Sequence, residues 1–199
     1  NKQIVKFIES GELEKLANGK NHQGVIAKGF EYQYTNVENI IDKNQSNESS
    51  IVVILDGLED PQNFGSIIRT GEALNISGIV IPKNRSVSVT PTVAKVSTGA
   101  INEVMIAQET NLRATIKKLK DNGYWIVTAD MDTDVMYDQV DYKMKVALII
   151  GSEGKGVSMQ LKKESDFVVK LPMYGKVSSL NAAVSTAIIL YQINSNRQQ

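Results

Sequence analysis

From residue 51 onward, apolar positions follow two alternating patterns. Unbroken aliphatic and β-branched runs occupy 51–55 (IVVIL), 78–82 (GIVIP), 125–130 (WIVTAD), 145–151 (KVALIIG) and 168–172 (VVKLP). Such runs suit parallel strands covered on both faces. Between them, apolar residues return every three or four positions and predict helices over 66–74, 92–97, 112–122 and 180–193. Gly123, directly after the third of these, suits a left-handed C-cap. Strands alternating with helices make an α/β domain with a mainly parallel sheet flanked by helices. Ligands bind such sheets beyond the C-terminal ends of the strands, which directs attention to the loops after Leu55, Ile81, Ala129, Ile150 and Leu171.

Upstream, the pattern predicts a short helix over 2–7, a glycine-bearing loop leading into a short strand within 19–34, and a helix over 37–41. The stretch DKNQSNESS, residues 42–50, is too poor in apolar groups to build a core and marks the approach to the main domain. A chain opening on Asn1 rather than Met reads as part of a longer protein.

Composition narrows the chemistry. At 199 residues one principal domain is expected, and 42% hydrophobic with 22% charged residues is ordinary for a soluble globular protein. No apolar run reaches the roughly 18 residues of a membrane span, and no secretion signal opens the chain, so a cytoplasmic location is expected. The absence of cysteine excludes disulfides and thiolate sites, and with His22 the one histidine, no protein-held metal is expected. Basic and acidic residues balance at 22 each, so an RNA footprint would have to come from local clustering.

Three loops carry candidate chemistry. In DGLEDPQNFGSIIRT (56–70), Pro61 and Gly65 shape a turn, Asn63 sits at the mouth of the next helix, and Arg69 follows. A guanidinium fork suits phosphate or carboxylate, although a capping Asn and a surface Arg account for the fragment equally well. GSEGKG (151–156) brings backbone N–H groups close to a ligand but lacks the Walker spacing and the dinucleotide fingerprint. Its Glu153 repels anions and favours a neutral or cationic ligand, and a purely structural turn is the alternative. LPMYGKVSSLNAAVSTA (171–187) places Ser178, Ser179 and Asn181 near the start of the last helix, where they serve as caps or as site residues. The acidic loop over 130–141 lacks the glycine and closing glutamate of a calcium site and reads as solvated surface. Lys83, Arg85 and Lys95 bracket a Ser/Thr-rich loop and are candidate phosphate contacts.

In this order and at strand ends, the three loops resemble the SpoU (TrmH-like) family of RNA 2′-O-ribose methyltransferases, of the SPOUT class, over about residues 51–193. The segment NHQGVIA (21–27) resembles the junction between an RNA-binding domain of ribosomal-protein type and the catalytic domain in the bacterial 23S rRNA guanosine branch. The resemblance implies that residues 1–40 are the remnant of that RNA-binding domain with its linker, and that 41–199 form a catalytic domain with a C-terminal deep trefoil knot. It implies S-adenosylmethionine as cofactor, structured RNA, foremost 23S rRNA, as substrate, and a homodimer with the final helix at the interface. A tRNA ribose methyltransferase and a catalytically weak RNA-binding assembly factor are the alternatives. By the family's pattern Arg69 is the catalytic arginine, with Asn63, Glu153, Ser179 and Asn181 around it. The cofactor falls to Thr128, Ala129, Ile150, Gly151, Leu171, Met173, Ser179 and Leu180, and RNA to His22, Arg69, Arg85 and Lys95. One departure concerns Asn102, where relatives usually carry glutamate; Glu103 is its neighbour, and the change bears on substrate choice.

Overall fold

The computed structural model describes residues 5–19, 21–27 and 32–198, which divide into two units at Gln33/Tyr34. In the first unit, Ser10–Ala17 forms a helix (α1) that buries none of its residues. The helix expected over 2–7 falls partly outside the described residues, and residues 5–7 are irregular. No strand forms at 21–27 or 32–34, and 28–31 lie outside the described residues.

The second unit starts at Tyr34 rather than at residue 41, and the reason is packing. Helix α2 (Val37–Lys43) buries Val37, Ile40 and Ile41 in the same apolar cluster as Val52, Ile54 and Ala147. The approach segment is also less detached than its composition suggests, since Ser50 is fully buried and its hydroxyl bonds those of Ser77 and Tyr124.

Six parallel strands take the order β3-β2-β1-β5-β4-β6: β1 (Ile51–Asp56), β2 (Gly78–Pro82), β3 (Ile106–Glu109), β4 (Tyr124–Ala129), β5 (Lys145–Gly151) and β6 (Phe167–Val169). Strands β1 and β5 are buried along almost their whole length, as the unbroken apolar runs require. On one face, Val52, Ile54, Ile126 and Ile149 pack with α2, α5 (Leu112–Asp121) and α6 (Met159–Lys162). Helices α3 (Pro61–Ala73) and α7 (Ala182–Gln198) pack on each other, and α7 lies against β5. Strand β3 is not legible as a strand in the sequence because its second half, Gln108 and Glu109, is polar; it pairs with β2 and bridges Thr35.

Two helices begin at an Xaa-Pro pair. Asp60 caps α3, accepting from the N–H groups of Gln62 at 3.0 Å and Asn63 at 3.1 Å, with Pro61 in the first turn. Thr90 caps α4 (Pro91–Val96) in the same way. Proline belongs at this position because its missing N–H would have had no helical partner. Helix α3 therefore begins at Pro61, well before the residue 66 expected, and Asn63 lies inside its first turn rather than capping it. Gly65 is a packing residue and not a turn former: a Cβ there would lie 2.6 Å from Cβ of Val96.

In the C-terminal part of the chain, the connection between β4 and β5 embraces two later segments. Lys170 exchanges backbone hydrogen bonds with Val135 and Tyr137, while Arg197 of α7 reaches the carbonyls of Tyr142 and Met144. Among the described residues, no helix is long and apolar enough to cross a membrane.

Candidate active site

The sheet's order places its switch point between β1 and β5: the chain leaves β1 towards β2 on one side and leaves β5 towards β6 on the other. The two exits are tied together where Ser158 N–H donates to Asp56 Oδ2 at 2.7 Å. The turn after β5 folds back on itself through a Ser152–Gly156 bridge. Gly151 is indispensable here, since a Cβ would come within 2.3 Å of the Gly156 carbonyl.

Three side chains from the three loops converge beside this turn. Asn63 Nδ2 donates to Glu153 Oε1 at 2.7 Å, and Asn181 Nδ2 donates to the same oxygen at 3.0 Å and to Asn63 Oδ1 at 2.8 Å. Asn181 also caps α7, its Oδ1 accepting from Ala183 N–H at 2.9 Å and Val184 N–H at 3.3 Å. Neutral amides on one carboxylate oxygen stabilise its charge and fix the turn relative to both helix starts.

Two cavities flank the 152–156 turn. The smaller, about 380 Å³, lies over the ends of β4, β5 and β6 and is lined by Ala129, Ile150, Gly151, Leu171, Met173 and Leu180, together with Ser179. The larger, about 1240 Å³, lies over the ends of β1, β2, β3 and β5 and includes Arg85. Ser152, Glu153, Lys155 and Gly156 line both.

The remaining expected site residues fall elsewhere. Thr128 lines neither cavity; it is fully buried, and its hydroxyl pairs with that of Ser165 at 2.6 Å, so Ala129 holds the cavity wall in its place. Arg69 is exposed on α3, lines neither cavity and has no side-chain partner among the described residues. Six helical positions turn it about 240° from Asn63, so a single chain does not bring the two together. Lys95 is exposed on α4 and Asn102 lies in the short 3₁₀ turn Ala100–Asn102, both away from the cavities. His22 belongs to the first unit, where Nδ1 accepts from Gly24 N–H at 3.1 Å.

The acidic loop is not uniformly solvated. Asp130, just past β4, lines the smaller cavity with its side chain only 10% exposed and pairs with Lys162 at 2.7 Å, which lines the same cavity. Its position beyond a strand end was the available signal; the run of aspartates after it obscured that signal.

Comparison with known proteins agrees with this architecture. The model of the SpoU rRNA Methylase family matches residues 50–191. A Staphylococcus haemolyticus protein assigned to the TrmH family of tRNA/rRNA methyltransferases is 45% identical over 199 residues, covering 100% of this chain and 80% of that protein. A Bacillus subtilis relative of the same description is 42% identical over 194 residues, covering 97% of this chain and 78% of its own length. Among solved structures, the AdoMet-bound rRNA methyltransferase from Sinorhizobium meliloti superimposes with a TM-score of 0.76 at 29% identity, over 83% of this chain and 62% of that one. The SpoU methyltransferase AviRb from Streptomyces viridochromogenes, in complex with AdoMet, gives 0.74 at 27% identity over 79% of this chain and 64% of that one. The chain thus spans a little under two thirds of these two solved enzymes. A parallel sheet, glycine turn and converging loops, matched by a family model over most of the chain, make it a member of the SpoU rRNA methylase family.

Proposed function

We propose that this chain transfers a methyl group from S-adenosylmethionine to a ribose 2′-hydroxyl in structured RNA, with 23S rRNA the foremost target. The observation that carries the reading is the Asn63–Glu153–Asn181 junction, which braces the glycine turn between two cavities. The smaller cavity fits the donor in character. Ile150, Leu171, Met173 and Leu180 offer apolar walls for an adenine and a methionine stem, and Asp130, Ser179 and the turn backbone offer polar contacts. Bound there, the donor supplies an activated methyl on a sulfonium.

The chain's own residues must hold the acceptor oxygen in line and help its proton leave. Arg69 is suited to grip the neighbouring phosphate and to stabilise negative charge developing on the ribose oxygen. A guanidinium keeps its proton in proteins and acts here electrostatically rather than as a base. Since Arg69 faces away from Asn63 within one chain, we assign it to the cavity of a second copy. The exposed side chains Val184 and Tyr191, with Ile188 between them, give α7 an apolar stripe for a homodimer interface.

The chain ahead of the unit that starts at Tyr34 reads as the end of an RNA-binding domain and linker, and the embrace of Lys170 and Arg197 by the β4–β5 connection supports the knot. A cytoplasmic location fits an RNA-modifying role. The test is incubation of the protein with labelled S-adenosylmethionine and unmodified total RNA, then alkaline hydrolysis. A linkage protected from cleavage within 23S rRNA is expected; a label confined to tRNA would move the target, and label on a base would overturn the ribose assignment.

A further inference from the structure

Residues 86–90 form a strap with no helix or strand of its own, so its backbone groups depend on partners elsewhere in the fold. Val87 N–H donates to the Leu58 carbonyl at 2.7 Å, and the Ser86 hydroxyl donates to the same oxygen at 3.2 Å. Val89 N–H donates to the Tyr34 hydroxyl at 2.7 Å, across 55 residues of sequence. Thr90 then caps α4, which packs on α3 so closely that Val96 leaves no room for a Cβ at Gly65. The strap thus holds the β1–α3 connection at one end, leans on α3 at the other, and is itself held in the middle by Tyr34. Leu58 is buried and stands midway between Asp56, which accepts from Ser158 N–H, and Asp60, which caps the helix carrying Asn63. A shift at Leu58 therefore reaches Asn63, and with it Glu153, through a short stretch of chain and one cap.

The backbone that carries the phenol is firmly placed. Thr35 N–H donates to the Ile106 carbonyl at 2.9 Å and the Thr35 carbonyl accepts from Gln108 N–H at 3.3 Å, which docks this residue along the edge of the sheet beside β3. The next two residues are fixed as well. Asn36 caps α2 by accepting from Asn39 N–H at 2.9 Å, and Val37 N–H donates to Glu109 Oε1 at 2.9 Å. A rigid ring on this anchored backbone holds its oxygen in one place. Neither Tyr34 nor residues 86–90 line either cavity, so their influence on the chemistry passes through Leu58 and α3.

We infer that Tyr34 is a positioning residue for methyl transfer: its hydroxyl, through Val89 and the strap, sets the β1–α3 connection that delivers Asn63 to Glu153. The inference takes its reaction from the proposed function, while the contacts it invokes stand whatever the substrate. Misplacement by about 1 Å, caused well away from the reacting atoms, is enough to cost an enzyme on the order of a hundredfold in rate. Loss of the Tyr34 hydroxyl leaves a half-buried Val89 N–H without this acceptor and frees the middle of the strap, so its grip on Leu58 loosens from a distance.

The test is Tyr34→Phe in the full chain, which keeps the ring and removes only the hydroxyl. Amide hydrogen exchange, read residue by residue, should quicken about five- to tenfold at Val89, as the loss of one hydrogen bond requires. It should quicken at Val87, Gln62 and Asn63 as well, with Ile54 in β1 unchanged. Methyl transfer to RNA should fall about tenfold in kcat while KM for S-adenosylmethionine stays at its wild-type value. Ser86→Ala loosens the same carbonyl from the strap, so in the double variant the two losses in kcat should combine to less than their product. Faster exchange confined to Val89, faster exchange spread evenly over the chain, an unchanged kcat, or two losses that simply multiply would overturn the inference. If the unmodified chain methylates no RNA, the proposed function fails, and the exchange pattern still decides whether Tyr34 holds the β1–α3 connection.

Discussion

Asn181 and Asn63, 118 residues apart in sequence, meet amide to amide at 2.8 Å, and both donate to one oxygen of Glu153. The contact joins the start of α7, the start of α3 and the turn after β5. Replacement of Asn181 by Asp separates its two roles. The aspartate still caps α7 through Oδ1, so stability should fall by no more than about 1 kcal/mol. It places a second negative charge against Glu153 and removes the shared donor, so methyl transfer should drop at least a hundredfold, on the order of 3 kcal/mol in the barrier. Asn181→Ala should lose about 1–2 kcal/mol of stability as well. Thermal unfolding set beside labelled methyl transfer checks both.

Lys162 and Asp130 form the one ion pair that lines the smaller cavity among the described residues. Removing one partner of a mostly buried pair leaves a charge uncompensated, which costs more than the pair contributed. Lys162→Met should weaken S-adenosylmethionine binding about tenfold and stability by about 1–3 kcal/mol. Asp130→Asn, which removes the charge while keeping the shape, should recover most of the stability in a Lys162→Met background. Calorimetric titration of the donor and urea unfolding are the measurements; an unchanged donor affinity would exclude the pair from the site.

How much of the molecule is legible in its sequence depends on the range of the interactions. The runs at 51–55 and 145–151 reveal β1 and β5 because burial on both faces is written in consecutive residues. Gly123 reveals the end of α5 for the same local reason, and it stands at φ 82°. The site is legible as three loops, but not as a junction. Nothing near Asn63 states that its amide ends on Glu153, and nothing near Asp130 announces Lys162. Arg69 shows the converse: the family resemblance groups it with Asn63, while helical geometry sends the two to different faces once α3 begins at Pro61.

Arg197 closes the C-terminal half of the molecule. Its guanidinium donates to Tyr142 O at 3.0 Å, Ser49 O at 2.6 Å and Met144 O at 2.5 Å, while Asn196 Oδ1 accepts from Tyr142 N–H at 2.8 Å. Three carbonyls fanned around one planar fork cannot be served by a compact ammonium in the same geometry. Arg197→Ala should therefore cost about 2–4 kcal/mol, and Arg197→Lys should recover less than half of it. Urea unfolding midpoints of the three proteins decide this.

Burial first, and then the charges of Asp138 and Tyr137, hold the Tyr142 phenol well above its ordinary range; burial does the same to Tyr124 against an opposing hydrogen bond from Ser50. Both phenols ionise near pH 10 when unfolded, so the unfolded chain releases protons there while the folded one retains them. Stability is fully present below about pH 10 and is lost as pH rises beyond it. Tyr142→Phe gives up the hydrogen bond to Tyr137 O at 2.6 Å and should lose about 1 kcal/mol at neutral pH. Its stability should then decline less steeply than the wild type's above about pH 10, as denaturant unfolding over that range will show.

Arg69 offers the sharpest test of how the catalytic unit is assembled. Arg69→Ala should abolish methyl transfer while leaving donor affinity nearly unchanged, because the side chain is exposed and lines neither cavity of its own chain. Whether the arginine serves its own cavity or that of a partner is decided by mixing. In a heterodimer of Arg69→Ala with Asn181→Asp, the Arg69→Ala copy contributes an intact Asn63–Glu153–Asn181 junction and the other contributes an intact guanidinium. If the site forms between copies, one of its two sites is complete. Random pairing makes about half of the dimers mixed, so equal mixing and reassembly of two inactive proteins should restore about a quarter of wild-type activity. If the site forms within one chain, every copy in the mixture carries a defect and no activity returns. Denaturing and refolding the variants together, with each refolded alone as the control, makes the comparison, and a silent mixture would place Arg69 back in its own subunit.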